Sequence, residues 1–366
     1  MLYRGDFPGF YAPAAMILDG KGAELYDFEL QREYENKFWP EFNGEFYIYA
    51  YPPFVAVLLS PLALLDPITS KAVSTILLAF FALLALSLLA KWQGRKLSIP
   101  LAVLLLAYPP LTLSILGAQN TAVTMLLYVF SIVLLEKKDS RSHLVAGLIS
   151  GFMLYKPQFG IFAILFFLVK FGRYYFFGVA ISALTLYLVA VPFQGFDWPL
   201  TWPAEANRFG NMNFVRNGYQ MSSLTGMAYY LLHISGYSHE ALTGITLPLT
   251  ALSLLTLVIW IGARERGTLP IHDIALLPLL TVVLTPQSLF YDLGWSVVGL
   301  YLILGNNIRF LPSDWFINRA LSLLFICWLF IGTRRELILP VCAMMTVLTV
   351  WALLKPTLLT NKNFES

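Results

Sequence analysis

Asp6 is a carboxylate whose neighbours suit chemistry at a membrane surface. Residues 4–11 read Arg-Gly-Asp-Phe-Pro-Gly-Phe-Tyr, and this mixture of glycine, proline and aromatic residues predicts a loop packed at the surface of a bilayer. Partial burial of a carboxylate there raises its affinity for a proton toward that of a useful general base. On residue type alone, a turn residue without a catalytic role is the stronger interpretation of Asp6.

Three cations lie where a phosphate group would explain them. Lys156 stands between two apolar stretches and before a proline, so it either extends to water or neutralises a lipid-linked phosphate. Arg208 and Arg216 lie in residues 193–240, which the topology below places outside, against the usual bias of positive charge. A guanidinium binds phosphate through two hydrogen bonds, whereas ion pairing with Glu205 or other loop acids explains the arginines equally well.

Two further polar segments interrupt the apolar sequence. Residues 117–120 read Gly-Ala-Gln-Asn, and residues 286–292 read Pro-Gln-Ser-Leu-Phe-Tyr-Asp. Ionisable groups beside membrane helices are candidates for function. Asp292 either pairs with Lys156 or caps a helix that begins at Leu293.

The first 50 residues are acidic. Residues 22–38 are predicted to form a short amphipathic helix, and most of the acids are expected on its solvated face or in exposed loops. The acids are nine of the 21 in the chain, namely Asp6, Asp19, Glu24, Asp27, Glu29, Glu33, Glu35, Glu41 and Glu45.

Composition predicts an all-helical, polytopic membrane protein. Hydrophobic residues make up 58% and charged residues 12%, whereas a soluble domain carries about a quarter charged residues. Runs of apolar residues recur from Leu62 to Leu354 at the length needed to cross about 30 Å of hydrocarbon. A net charge of +3 gives no argument for nucleic acid. Scattered histidines, with Cys327 and Cys342 inside apolar runs, predict neither a metal site nor a disulfide.

Basic clusters set the expected topology, because positive charge favours the cytoplasmic side. These clusters are Lys91–Arg95–Lys96, Lys137–Lys138–Arg141, Lys170–Arg173, Arg264–Arg266 and Arg309. They predict eleven crossings, at residues 68–91, 97–116, 119–135, 143–155, 158–170, 174–193, 241–262, 271–288, 292–307, 316–332 and 337–354.

Two domains follow from this topology. Residues 1–67 are predicted to be an extracytoplasmic catalytic loop, in which the proline-flanked stretch 54–65 is a helix lying on the outer surface. Residues 68–360 are predicted to form a transmembrane bundle that carries a second extracytoplasmic loop at 193–240. The C-terminal residues 361–366 are expected in the cytoplasm.

An ordered set of short motifs adds a resemblance to this interpretation. The motifs are Gly5-Asp6-Phe7 with Tyr11 and Ala14-Ala15, Gly20, Tyr26-Asp27, Tyr51-Pro52-Pro53 with Pro61-Leu62, Gly117, Gln119-Asn120, Gly147, Lys156-Pro157-Gln158, Pro286 and Tyr291-Asp292. Their order and spacing resemble glycosyltransferase family 87, the polyprenol-phosphate-mannose-dependent mannosyltransferases of the GT-C superfamily. The resemblance is specific mainly across residues 5–160.

The resemblance implies a GT-C-like fold and a catalytic base in the first outward loop, at the position of Asp6. Members of the family also have a transmembrane helix directly before this aspartate, which gives about twelve crossings and leads us to expect a shortened N-terminus here. Some relatives have a histidine near residues 286–292, where this chain has Tyr291, so the role of that histidine is not carried over to this chain.

The expected activity is transfer of a hexose, mannose by the resemblance, from a polyprenyl monophosphate to a hydroxyl of a lipid or glycan acceptor. The reaction would invert the anomeric carbon on the extracytoplasmic face of the cell membrane, with Asp6 as the base. Lys156, Arg208 and Arg216 would bind the donor phosphate, and neither a metal nor another cofactor is required. The candidate sugar- or donor-binding residues are Tyr51, Gln119, Gln158, Tyr291 and Asp292.

Two other functions remain open from the sequence. Many helices with polar breaks also suit a membrane transporter or flippase of lipid-linked or small polar substrates. The second alternative is a non-catalytic scaffold in an envelope-assembly complex, which would turn over no such donor.

Overall fold

The computed structural model describes residues 5–305, and this part of the chain is all-helical, without a β-strand. The α-helices are α1 Pro8–Leu18, α2 Phe28–Phe38, α3 Pro53–Leu59, α4 Pro67–Trp92, α5 Ile99–Leu106, α6 Pro109–Leu116, α7 Thr121–Leu135, α8 Ser140–Gly151, α9 Pro157–Phe171, α10 Arg173–Gln194, α11 Trp198–Asn217, α12 Leu224–Ile234, α13 His239–Gly262, α14 Ile271–Leu284 and α15 Val297–Gly305. The 3-10 helices are Gly22–Glu24, Pro40–Phe42, Ser60–Leu64, Phe152–Tyr155, Gly218–Gln220 and Phe290–Ser296.

The described residues divide into two compact units. The first unit holds residues 5–84, 114–164 and 172–213, and the second holds residues 85–113, 165–171 and 214–305.

The helices of membrane-spanning length lie where hydropathy predicts them. Helices α4, α10 and α13 are long and apolar enough to cross a bilayer, and the bent pair α5 and α6 makes a fourth span if it is counted as one. Apolar helices α7, α9 and α14, each of 14 or 15 residues, occupy further predicted crossings. The crossings predicted at 316–332 and 337–354, and the C-terminal segment, lie outside the described residues.

The crossing predicted at residues 97–116 is not a continuous helix. Helices α5 and α6 are bent by 72° at the break before Pro109. Pro109 and Pro110 lack an N–H, and a proline disfavours helical geometry in the residue before it. The crossing predicted at 143–155 also changes character, because α8 ends at Gly151 and a 3-10 helix follows.

The acidic N-terminal region is helical in pieces. The helix predicted over residues 22–38 is shorter than expected, since α2 begins only after Asp27, whose carboxylate accepts hydrogen bonds from the N–H groups of Glu29 and Leu30 at 2.9 and 3.1 Å. This is an N-cap, which starts a helix and so separates α2 from residues 22–24. The predicted helix at 54–65 is present as α3 and the 3-10 helix Ser60–Leu64.

The segment 193–240 was expected to be a loop but is largely helical. Helix α11 occupies its first half and α12 its second. Its two tryptophans belong to the first unit and donate indole N–H hydrogen bonds within it. Trp198 donates to the carbonyl of Tyr187 at 3.3 Å, and Trp202 donates to that of Ala50 at 3.1 Å.

Helices α8 and α10 of the first unit pack closely through glycine. A Cβ at Gly147 would overlap the carbonyl oxygen of Tyr175, and one at Gly178 would overlap that of Leu144. Small residues at helix contacts allow this approach of two backbones, which is the usual way that membrane helices pack.

A buried ion cluster joins the end of α9 to the start of α14 in the second unit. The ammonium of Lys170 lies 3.1 Å from Asp273 Oδ2, and both side chains are buried. Arg264 and His272 approach Asp273 Oδ1 at 3.3 and 3.0 Å. Lys170 and Arg264, two of the basic residues that the topology assigns to cytoplasmic turns, therefore also fasten these turns to the helices.

Candidate active site

Asp6 lies in a turn directly before α1, where it is partly buried. The turn depends on Gly5, whose φ of 54° lies in the left-handed region. A Cβ at Gly5 would overlap the backbone of Gly117. Two glycine turns that are distant in sequence therefore touch backbone to backbone, and Asp6 projects from this contact.

Gln119 projects toward Asp6 from the second turn. Ala118 has a left-handed φ of 56°, and the Gln119 N–H donates to the carbonyl of Ser114 at 2.7 Å. The side chain of Gln119 is 3% exposed, and its Nε2 donates a hydrogen bond to Asp6 Oδ2. One oxygen of the carboxylate is thereby fixed in orientation by a neutral donor.

Glu35 is a second carboxyl beside Asp6, and it is an exception to the solvated face that the sequence predicts for most of the N-terminal acids. It is 0% exposed, and its Oε2 accepts a hydrogen bond from the N–H of Tyr47 at 3.0 Å. Burial raises the pKa of Glu35 to about 8; the charge of Asp6 acts in the same direction, whereas the N–H of Tyr47 acts in the opposite one. This shift favours the protonated, neutral form of Glu35 at pH 7.

The helical period contains the signal that would have found Glu35. Gln31 and Tyr34 are buried on α2, and Glu35 lies four residues after the first and beside the second. Positions three and four apart share one face of a helix. The buried face of the predicted amphipathic helix thus also contains an acid.

Four aromatic side chains form a connected group beside the residues that carry the two carboxyls, and we refer to Phe7, Trp39, Phe42 and Tyr47 as the aromatic wall. Phe7 meets Trp39 edge to face at 6.2 Å between ring centroids, Trp39 stacks on Phe42 at 6.1 Å, and Phe42 lies 5.8 Å from Tyr47. The wall adjoins both acids, because Phe7 follows Asp6 and Tyr47 bonds to Glu35. Tyr47 is 39% exposed, so the wall reaches the protein surface.

Lys156 belongs to a turn that is linked to the turn of Gln119. The hydroxyl of Tyr155 donates to the carbonyl of Asn120 at 2.8 Å. Lys156 itself is 5% exposed, with its ammonium 4.8 Å from the centre of the Phe159 ring. The alternative in which this lysine extends to water is therefore wrong. Gln158 follows on the first turn of α9 and is half-buried.

Tyr51 packs against the helix that follows Asp6. Its ring lies 5.1 Å from that of Phe10 on α1 and 6.0 Å from that of Tyr49. Its carbonyl accepts a hydrogen bond from the hydroxyl of Tyr26 at 2.7 Å. Tyr51 is half-buried, and its role toward a sugar stays a prediction.

Arg208 makes the ion pair that was the alternative to phosphate binding. Its guanidinium lies 3.9 Å from the carboxylate of Glu205 and 3.9 Å from the centre of the Phe28 ring. Both charged side chains keep contact with water, so the pair contributes little to stability. A phosphate-binding role for Arg208 stays a prediction.

Arg216, Tyr291 and Asp292 belong to the second unit. Arg216 is exposed near the end of α11 and Tyr291 is half-buried. Asp292 is 3% exposed, and its Oδ2 accepts a hydrogen bond from the N–H of Leu289 at 2.9 Å. It thus stabilises the turn at the start of the 3-10 helix Phe290–Ser296, which begins at Phe290 rather than at Leu293 as the capping alternative predicted. Within residues 5–305, no three His, Cys, Asp or Glu side chains are grouped as metal ligands.

Comparison with known proteins gives one match. A family model for glycosyltransferase family 87 matches residues 49–286, which is more than half of the chain. The matched range contains Gln119 and Lys156, while Asp6 and Glu35 precede it. No curated protein and no solved structure matches the chain significantly.

Proposed function

The chain belongs to glycosyltransferase family 87, and on this premise we propose that it transfers a hexose, mannose by its family resemblance, from a polyprenyl monophosphate to a lipid or glycan hydroxyl. The hydrogen bond between Gln119 and Asp6 carries the proposal. It joins a turn inside the matched range to the one carboxylate that the resemblance assigns as base. The reaction would take place on the extracytoplasmic face of a multi-pass membrane protein, where the lipid tail of the donor lies between apolar helices.

The proposed step is a single displacement. The acceptor oxygen attacks the anomeric carbon of the donor and gives its proton to Asp6. The bond between that carbon and the phosphate oxygen breaks, and polyprenyl phosphate leaves with the bonding electrons. Attack from the face opposite the phosphate inverts the anomeric configuration. Asp6 then returns its proton to water.

The departing phosphate needs positive charge, and Lys156 is the first candidate to supply it. A phosphate is a weak base, so electrostatic stabilisation matters more than protonation. The burial of Lys156 strengthens its field, because charges interact more strongly in a low dielectric. The link from Tyr155 to Asn120 holds its turn beside that of Gln119. Arg208 and Arg216 are weaker candidates, since the first is paired and both are exposed.

Replacement of the base tests this function directly. Wild type, Asp6→Asn and the exposed control Glu33→Gln would be purified in detergent and incubated with radiolabelled polyprenyl-phosphate mannose and extracted membrane glycolipids. We expect Asp6→Asn to lose at least about 100-fold in product formation, since a positioned base contributes 100-fold or more. The control should retain wild-type activity.

Each other outcome contradicts a defined part of the proposal. Wild-type rates in Asp6→Asn would show that Asp6 is not the base. Turnover with a nucleotide sugar but not with a polyprenyl-phosphate sugar would exclude the proposed donor. Label that crosses a vesicle membrane without forming a new glycosidic bond would favour the transporter alternative.

A further inference from the structure

Only one of the two oxygens of the buried Glu35 carboxyl has a hydrogen-bond partner among the described residues. Its Oε2 accepts the N–H of Tyr47, while its Oε1 has no hydrogen-bond partner among residues 5–305. Buried polar groups are nearly always paired, so an unpaired one calls for an explanation. A ligand atom that arrives during the reaction would supply one.

The charges near Glu35 decide what kind of ligand atom this is. Among the described residues, the charged or titratable groups on the elements next to Glu35 are Asp6, Tyr11 and Asp19 on and beside α1, Asp27, Glu29, Arg32, Glu33, Tyr34 and Lys37 on and beside α2, and Glu41, Glu45, Tyr47 and Tyr49 after α2. Among these groups, Asp6 exerts the electrostatic effect on Glu35, while Arg32 is paired with Glu29. A phosphate would be repelled by Asp6, whereas a neutral hydroxyl would not.

A neutral Glu35 is a hydrogen-bond donor. A protonated carboxyl keeps one O–H to give, and here its other oxygen is already used by Tyr47. A hydrogen-bond donor beside a base suits a molecule with several hydroxyl groups. The base, Asp6, would act on the hydroxyl that attacks, and the donor, Glu35, would bind a second oxygen of the same molecule. The aromatic wall completes such a site, because ligand sites combine aromatic surface with a few placed polar groups.

We propose that Asp6, Glu35 and the aromatic wall form the acceptor subsite, which takes a neutral sugar. Asp6 receives the proton of the attacking hydroxyl, and Glu35 donates a hydrogen bond from Oε1 to another oxygen of the same sugar. This inference rests on the proposed function, since it assumes that Asp6 is the base. It assigns the acceptor, rather than the charged donor, to the side of the site formed by α1 and α2.

The pH dependence of acceptor use distinguishes this role from a structural one. Activity should fall as pH rises through about 8, where Glu35 loses its proton and becomes a second anion beside Asp6. Glu35→Gln remains neutral and keeps both a donor and an acceptor, so this variant should keep its activity to higher pH. Its KM for acceptor at pH 7 should rise less than that of Glu35→Ala, because the amide still offers a donor and an acceptor.

Glu35→Ala removes the donor and should raise the KM for acceptor about tenfold, which is the effect expected when one hydrogen bond is lost. The KM for polyprenyl-phosphate sugar should stay unchanged. Glu33→Gln, which removes a charge from the exposed side of the same helix, is the matched control and should behave as wild type. Both KM values would be measured with purified protein between about pH 6 and pH 10. If Glu35→Ala lowers the yield of folded protein, the pH profile of Glu35→Gln decides the question.

Three outcomes would overturn the inference. They are an unchanged acceptor KM in Glu35→Ala, a rise in donor KM instead, and an alkaline decline that persists in Glu35→Gln. Failure of the proposed function would look different, since Asp6→Asn would then remain active. An inactive Asp6→Asn together with an unchanged Glu35→Ala refutes the acceptor subsite alone.

Discussion

Gln119 donates a side-chain hydrogen bond to Asp6 across 113 residues of sequence. The contact exists because the turns at Gly5 and Gly117 meet without any side chain between them. It gives the carboxylate a fixed direction from a donor that carries no charge. The geometry of the proposed base therefore depends on a residue in the turn before α7 rather than on its own loop.

Replacement of Gln119 should impair catalysis more than stability. Gln119→Ala removes the donor to Asp6, and we expect kcat to fall on the order of tenfold, the worth of one hydrogen bond. The protein should still elute from size-exclusion chromatography as wild type. Gln119→Glu should be worse, because it places a second anion beside Asp6. An unchanged kcat in both variants would show that the hydrogen bond does not orient the base.

Gly5→Ala should disrupt the site through steric overlap. Two effects combine, since φ is 54° and the added Cβ meets Gly117. Gly20→Ala is the matched control, because Gly20 has a φ of 73° and open space where its Cβ would lie. The left-handed backbone costs each variant about 1 kcal/mol. We expect Gly20→Ala to remain active and Gly5→Ala to lose most of its activity, and equal losses would refute the overlap.

Glu35 should make the protein less stable as pH rises. Its pKa is 4.5 in the unfolded chain and about 8 in the fold, so between these values the folded state binds a proton that the unfolded state has released. The contribution of Glu35 to the stability of the fold is therefore fully present below pH 4.5 and is lost as the pH rises toward 8. At 1.36 kcal/mol per pH unit, the loss at pH 7 is about 3 kcal/mol.

Glu35→Gln should remove this decline. Its thermal midpoint in detergent should exceed that of wild type at pH 7, and the two should converge near pH 4.5. A wild-type midpoint that does not change relative to Glu35→Gln over this range would show that Glu35 is ionised in the fold.

Lys156→Met tests the proposed partner of the leaving phosphate. Methionine is long and apolar, so the buried position stays filled while the charge is lost. We expect kcat to fall on the order of 100-fold, as when a charge-stabilising donor is removed. Lys138→Met, at an exposed position, is the control and should be active. A fall in the thermal midpoint with kcat preserved would assign Lys156 a structural role.

Hydropathy alone located the long helices, because crossing a bilayer requires a local property of the chain. A span needs about 20 consecutive apolar residues whose backbone groups bond within the helix. Helices α4, α10 and α13 meet this condition and were predicted nearly to their ends. The bend between α5 and α6 was missed, although Pro109 and Pro110 were visible, since average apolarity does not report a break.

The family, and Asp6 and Gln119 as candidates, could likewise be taken from the order of short motifs. That these two side chains touch, and that Glu35 is buried beside them, could not. Exposure of an acid on an amphipathic helix depends on what packs against that face, and here the non-helical segment that contains Tyr47 hydrogen-bonds to Glu35, which is fully buried. Burial and proximity arise from contacts between distant segments, so only the folded chain decides which carboxyls lie close together and which of them is buried.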